Sequence, residues 1–336
     1  MLYALARSAL FRLDPEVAHD VALKSLCAMG PAASLLGTGA SHGESRRVMG
    51  LEFANPVGLA AGLDKNAEYI DALAALGFGF IEVGTVTPRP QPGNPKPRMF
   101  RIPAHEALIN RLGFNNQGVE RFLANIARAR YRGILGINIG KNFDTPIERA
   151  ADDYLACLDA VHERASYVTV NVSSPNTQGL RDLQSEARLD ELLAALMERR
   201  RSLAAKQGMA KPMALKVAPD LSDAEIEAIA GLAVKHGIDA IIATNTTLSR
   251  EAIAGSAHAS EAGGLSGRPL AARSTAVLAK FAAALGGRIP LIGVGGIVSG
   301  ADAKAKIAAG ASLVQVYTGF IYRGPQLIAD ARRALR

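Results

Sequence analysis

From about residue 48 onward, short apolar runs alternate with longer stretches in which apolar and polar positions recur at helical spacing. Runs of Val, Ile, Leu and Ala without in-out alternation suit strands that are covered on both faces. They predict strands at Val57–Ala60, Phe80–Val83, Ile134–Ile139, Tyr167–Val172, Met213–Val217, Ala240–Ala243, Leu291–Val294 and Leu313–Val316. The stretches between them predict helices at about 66–76, 116–130, 148–164, 187–207, 222–236, 270–285 and 300–308. This alternation points to an α/β fold, a (β/α)8 barrel in which closure removes the sheet edges. A doubly wound open sheet is the runner-up, but no G-x-G-x-x-G follows the first strand. The proline-rich segment 87–109 is expected to form a small hairpin inserted over the barrel.

Ahead of the barrel, Leu2, Leu5, Ala6, Ala9, Leu10 and Leu13 recur at the spacing of a first short helix. Asp14 as N-cap, Pro15 at the first helical position and Glu16 in the first turn open a second, ending near Gly30-Pro31. In that second helix Glu16, His19, Asp20 and Lys24 fall on one arc, with Val17, Val21, Ala22 and Ser25 largely opposite. The pair is expected either to pack on the main domain or to lay its apolar face in a membrane interface. The small-residue segment 37–44 divides this extension, residues 1–40, from the barrel of 45–336.

Composition narrows the classes. A chain of 336 residues fits one barrel-sized domain plus a small extension, and 49% apolar residues argue against disorder. The formal charge of +7 is scattered, and Arg199–Arg201, the only basic run of three, is expected on a solvated helix face. Zinc-finger spacing and the aromatic signatures of RNA binding are missing, so nucleic acid is not an expected partner. The balance suits acidic small molecules or an anionic membrane surface. Cys27 and Cys157 form no C-x-x-C and are expected as small core residues in a reducing compartment. No stretch reaches the ~18 uncharged apolar residues of a spanning helix. Arg7, Arg12, Asp14 and Glu16 interrupt the N-terminus as a secretory signal, and a cytosol-facing protein is expected.

In a barrel, chemistry gathers where the strands end. Those ends carry Ala61-Gly62-Leu63-Asp64-Lys65, Gly84-Thr85, Asn138, Asn171 with Ser174, Lys216, Thr244-Asn245-Thr246, Gly293-Val-Gly-Gly296 and Tyr317-Thr318-Gly319. Paired catalytic carboxylates, a metal cluster and a Ser–His–Asp set all lack candidates, and no G-x-S-x-G elbow exposes a nucleophile. Gly-rich turns after the last two strands offer bare N–H groups for a phosphate. Amides on the third, fourth and sixth strands match a flat ring with alternating donors and acceptors. A flavin mononucleotide meets both demands, with Lys216 beneath its ring. A Schiff base on Lys216, as in an aldolase-like lyase, is the alternative from another class.

These segments carry a family resemblance. Ala60-Ala-Gly-Leu-Asp-Lys65, Val83-Gly-Thr-Val-Thr-Pro88, Asn110-Arg-Leu-Gly-Phe-Asn115, Asn138-Ile-Gly-Lys141, Asn171-Val-Ser-Ser-Pro-Asn-Thr177, Leu215-Lys-Val-Ala-Pro219, Thr244-Asn-Thr246, Gly263-Gly-Leu-Ser-Gly267 and Gly293-Val-Gly-Gly296 occur in order over residues 45 to 320. The chain resembles the dihydroorotate dehydrogenases, in particular the class 2, membrane-associated, quinone-reducing type. The resemblance implies oxidation of dihydroorotate to orotate, FMN as cofactor and a membrane quinone as acceptor; a soluble class 1 enzyme using fumarate or NAD is the near alternative. It implies Ser174 as base, where class 1 relatives carry cysteine. Lys65, Asn110, Arg111, Leu112, Gly113, Phe114, Asn171, Asn176, Asn245 and Thr246 match substrate-binding positions. Ala61, Gly62, Leu63, Asp64, Lys65, Thr85, Asn138, Asn171, Lys216, Thr244, Gly267, Gly296, Tyr317 and Thr318 match flavin-binding positions. His19 and Arg101 resemble residues beside the quinone tunnel, although His19 on a charged helix face reads equally as a surface histidine. A monomer at the cytoplasmic face of the inner membrane, held through the N-terminal helices, is the implied setting.

Overall fold

Eight parallel strands close into a barrel because each is apolar enough to be covered inside and out. They are β1 (Val57–Leu59), β2 (Phe80–Val86), β3 (Ile134–Ile139), β4 (Tyr167–Asn171), β5 (Met213–Val217), β6 (Ala240–Ala243), β7 (Leu291–Val294) and β8 (Ala311–Val316). Each pairs with the next in sequence, and β8 pairs with β1, in a computed structural model that describes residues 2–37 and 45–336. The lower barrel is filled by Phe53, Phe80, Tyr167, Ile242, Ile292 and Leu313. Glycine is required opposite the large rings: a Cβ on Gly58 would stand 2.3 Å from Phe80, and one on Gly136 2.2 Å from Tyr167.

The N-terminal helices are α1 (Leu2–Leu10) and α2 (Pro15–Ala28), the second capped by Asp14, whose Oδ1 accepts from the Glu16 and Val17 N–H groups. Around the barrel lie α3 (Ile70–Ala74), α4 (Gly118–Arg128), α5 (Ala150–Val161), α6 (Glu186–Gln207), α7 (Asp223–His236), α8 (Ala271–Leu285) and α9 (Gly300–Ala308). The inserted hairpin pairs Met99–Ile102 with Ala107–Asn110, as expected, and gains a third strand, Gly264–Gly267.

Several expectations need correction. The helix expected at 66–76 is only α3, because Asp64 accepts from the Glu68 and Tyr69 N–H groups and Ala67 takes φ +57°, which holds 64–69 in a turn. A hairpin of Arg46–Val48 and Leu51–Phe53 and two C-terminal helices, α10 (Thr318–Arg323) and α11 (Gln326–Ala334), were not anticipated. The linker expected at 37–44 falls, beyond Gly37, outside the described residues. Cys27 is exposed; only Cys157 is in the core. Within Arg199–Arg201, Arg200 is not solvated but pairs with Asp239 at 2.8 Å.

The largest correction concerns α2, whose inner face mixes the two arcs: Glu16 and His19 turn toward the barrel with Ala18, Ala22 and Leu23, while Asp20 and Lys24 are exposed. Glu16 accepts a forked pair of bonds from Arg98, at 2.9 and 3.1 Å, while Val17 and Val21 are exposed. Arg98 is itself buried and also donates to the Pro92 and Asn94 carbonyls, so the cation needs an acid from α2 to complete its shell. α1 is tied down by Tyr3, whose hydroxyl donates to Ile321 O at 2.6 Å, and by Arg7, which donates to Tyr322 O.

Candidate active site

The interior polar structure starts at Glu82, a fully buried carboxylate on β2. It accepts from Asn138 Nδ2 (2.8 Å), the Tyr167 hydroxyl (2.9 Å) and Gln315 Nε2 (2.7 Å). Three donors on one carboxylate offset the desolvation of its charge. They also fix direction: with Nδ2 committed downward, Asn138 turns Oδ1 upward to accept from Thr85 Oγ1 (2.5 Å) and Asn171 Nδ2 (3.2 Å). Asn171 Oδ1 in turn accepts from Ser173 Oγ at 2.9 Å, and Asn245 Nδ2 donates to that same hydroxyl at 3.0 Å. The strand-end amides are thus one oriented network.

Above it opens a cavity of about 990 Å³, counting the part open to solvent. It brings together Lys65 from β1, Asn171 and Ser174 from β4, Lys216 from β5 and Asn245 from β6. Burial pushes the Lys216 amine down, while Glu82 below pulls it up. Burial brings Lys65 down to about 8, against the pull of Glu16. Asn176 donates its backbone N–H to Ser174 Oγ at 3.2 Å and its amide to Asn110 Oδ1 at 3.2 Å, which joins the β4 loop to the inserted sheet.

One rim is made of close-packed backbone. Gly295 and Gly296 have φ of +103° and +78°, and a Cβ on Gly296 would stand 2.2 Å from Ala271 Cα. A Cβ on Gly319 would stand 1.9 Å from Ile297 O. Only glycine permits these turns, which leave N–H groups bare toward the cavity. Thr246 Oγ1 and Gln315 Oε1 are buried cavity-lining atoms with no hydrogen-bond partner among the described residues. An anion cradle, a row of amides and two orphaned polar atoms fit a flat heteroaromatic ligand with a phosphate.

A second chamber of about 550 Å³ lies under α2, lined by Glu16, His19, Asp20, Leu63, Asp64, Glu68, Tyr69 and, again, Lys65 and Tyr317. There burial and the Lys65 charge hold His19 down to about 3, so it is neutral. Burial raises Asp64 to about 6, although the Tyr69 and Glu68 N–H groups draw it back.

A model of the dihydroorotate dehydrogenase family matches residues 45–336. Proteins named dihydroorotate dehydrogenase (quinone) from Burkholderia multivorans and Burkholderia pseudomallei are 61% and 60% identical over 335 residues; each alignment spans 99% of this chain, with 97% and 98% of the relative. The chain belongs to the dihydroorotate dehydrogenase family. Within it, the chain groups with the quinone-dependent, class 2 dihydroorotate dehydrogenases rather than the fumarate- or NAD-linked type, and the Schiff-base reading falls away. The crystal structure of the Eimeria tenella dihydroorotate dehydrogenase with ferulenol superposes with a TM-score of 0.88 at 40% identity, covering 96% of this chain and 90% of that one. Its ligand-free form gives 0.87, at the same identity.

Most residues expected at a dihydroorotate dehydrogenase site line the main cavity: Ala61, Gly62, Lys65, Thr85, Asn110, Leu112, Gly113, Phe114, Asn171, Ser174, Asn176, Lys216, Thr244, Asn245, Thr246, Gly267, Gly296, Tyr317 and Thr318. Four do not. Asn138 lies beneath it, Leu63 and Asp64 line the second chamber, and Arg111 turns away to pair with Glu261 at 2.7 Å. His19 is no surface residue, since it lines the second chamber. Arg101 anchors the N-terminal turn, donating to the Leu10 and Leu13 carbonyls over the Phe11 ring. Ser266 and Gln315 line the cavity and were missed. A glutamine inside the apolar run Leu313–Val316 was the available signal, as Asn171 was within its own strand.

Proposed function

We propose that this protein oxidises (S)-dihydroorotate to orotate in pyrimidine biosynthesis, with FMN in the main cavity and a membrane quinone as final acceptor. The observation that carries this reading is the convergence of Lys65, Asn171, Ser174 and Lys216 on one cavity rimmed by the Gly295-Gly296 turn. When bound, FMN takes the hydride from C6 of the substrate and passes the electrons to the quinone.

The chain's own residues do the rest. Gly296, Gly267 and Thr318 hold the phosphate end of the cofactor, and Lys216 faces the ring from β5. Lys65 pairs with the substrate carboxylate, and Asn110, Asn176 and Asn245 hold the pyrimidine amides. Ser174 Oγ takes the C5 proton, while the fixed amides stabilise the enolate-like charge that develops. Leu112 and Phe114 exclude water from the face where the proton is removed.

The second chamber and α1–α2 form the quinone side, with His19 lining it. Among the described residues, seven of the ten large apolar side chains left exposed lie in this extension, from Leu5 to Leu36. No described helix is long and apolar enough to cross a membrane. An outward apolar face on short helices supports peripheral association with the cytoplasmic face of the inner membrane. The protein acts there as a monomer.

The purified protein is expected to be yellow, and to bleach when dihydroorotate is added without oxygen. Ser174→Ala is expected to keep its flavin but to lose roughly 10²–10⁴ in flavin-reduction rate, the usual contribution of a positioned base. Wild-type reduction by the variant would remove Ser174 from its role.

A further inference from the structure

A serine hydroxyl is a weak base unless its surroundings favour the alkoxide. The loop that carries Ser174 runs on into a 3-10 turn, Leu180–Gln184, that contains Arg181. The Arg181 guanidinium reaches back and forks three ways. Nε donates to the Ser173 carbonyl at 3.1 Å, Nη2 to the Thr246 carbonyl at 2.8 Å, and Nη1 to Asp220 Oδ2 at 2.9 Å. The loops after β4, β5 and β6 are therefore joined by one planar cation, which a lysine cannot imitate.

Charge is unbalanced there as well. Asp220 accepts from Thr247 Oγ1 and from the Leu248 N–H, faces Arg273 Nη1 at 3.5 Å, and draws on the charge of Arg250. One carboxylate thus answers three guanidinium groups, so this flank is net positive. Facing the cavity are the ammonium groups of Lys65 and Lys216, the latter above the buried Glu82 carboxylate; on the roof Glu261 is held by Arg111, and Asp182, next to Arg181, is exposed.

We propose that Arg181 is the positioning residue of the Ser174 base. It clamps the peptide linking Ser173 to Ser174 and, with its positive field, favours loss of the Ser174 hydroxyl proton, leaving the alkoxide that takes the C5 proton. This rests on the reading of Ser174 given above. Nothing beyond the established half-reaction is needed: Ser174 first gives its O–H proton to solvent, the C5–H bond then breaks and its proton passes to the alkoxide Oγ, and the C6 hydride leaves to the flavin.

The test is anaerobic flavin reduction by dihydroorotate, followed across pH in the holoenzyme. Two limbs separate by sign. A base must lose its proton, so Ser174 governs a rise with pH. Lys65 must keep its own, so it governs a fall above about pH 8. Arg181→Gln is expected to slow reduction roughly tenfold to hundredfold at pH 7 and to carry the rising limb about one pH unit upward. Orotate affinity and flavin content should stay near wild type. Arg181→Lys should leave the limb in place but react more slowly, since charge is kept and the fork lost. Asp220→Asn, which deletes the opposing charge, should carry the limb downward. An unmoved limb in Arg181→Gln overturns the inference, as does an upward shift in Asp220→Asn. Should Arg181→Gln fail to fold, the Asp220→Asn limb decides alone. A wild-type protein that dihydroorotate does not bleach would instead remove the proposed function, and this inference with it.

Discussion

Lys65 shows how one side chain is set by conflicting neighbours. Burial disfavours its charge, Glu16 restores part of it, and its proton is held to about 8. An anionic ligand binds the protonated form, so orotate affinity should be flat below pH 8. Above it, affinity should fall about tenfold per pH unit, as a spectral titration of the flavin would read. The sign follows from a lowered pKa on a cation: alkali removes the very charge the carboxylate needs. A level profile to pH 10 would show that Lys65 is not the partner. The residue itself was legible in the sequence because it ends a strand beside Ala61 and Gly62. Its shifted proton was not, since Glu16 reaches it only through the docking of α2 and Arg98 only through the inserted hairpin.

At the scale of elements, strands covered on both faces announced themselves: β3, β5, β6 and β7 lie where the apolar runs place them. Gly264–Gly267 did not, because it holds a single apolar residue and becomes a strand only by pairing with Ala107–Asn110. The orientation of α2 was misleading for a related reason. Helical spacing alone puts Glu16 and His19 with the exposed Asp20 and Lys24, but Glu16 turns inward to Arg98, 82 residues away, and carries that side of the helix with it. The docked extension leads to a prediction. Removing residues 1–40 should abolish quinone reduction while dihydroorotate still bleaches the flavin, since the main cavity is lined by residues from Ala60 onward. Loss of both half-reactions together would show that the extension also holds the barrel in shape.

Across the whole molecule, the barrel is a stack of layers with different duties: apolar rings at the bottom, the Glu82 network in the middle, the reactive cavity on top. The bottom layer sets stability. Gly58→Ala would drive a methyl group into the Phe80 ring and should cost about 1–3 kcal/mol, visible as a lower urea midpoint with unchanged slope. The middle layer was the least legible, because Glu82 and Gln315 find each other only when β8 closes onto β1 and β2. The top layer has two rooms with a shared wall. Lys65 and Tyr317 border both, so an anion that meets the Lys65 ammonium in one room also relieves His19 in the other of the repulsion that adds to its burial. An anion seated in the main cavity should therefore be felt next door as a rise in the His19 pKa, which an NMR titration of that imidazole with and without orotate would read.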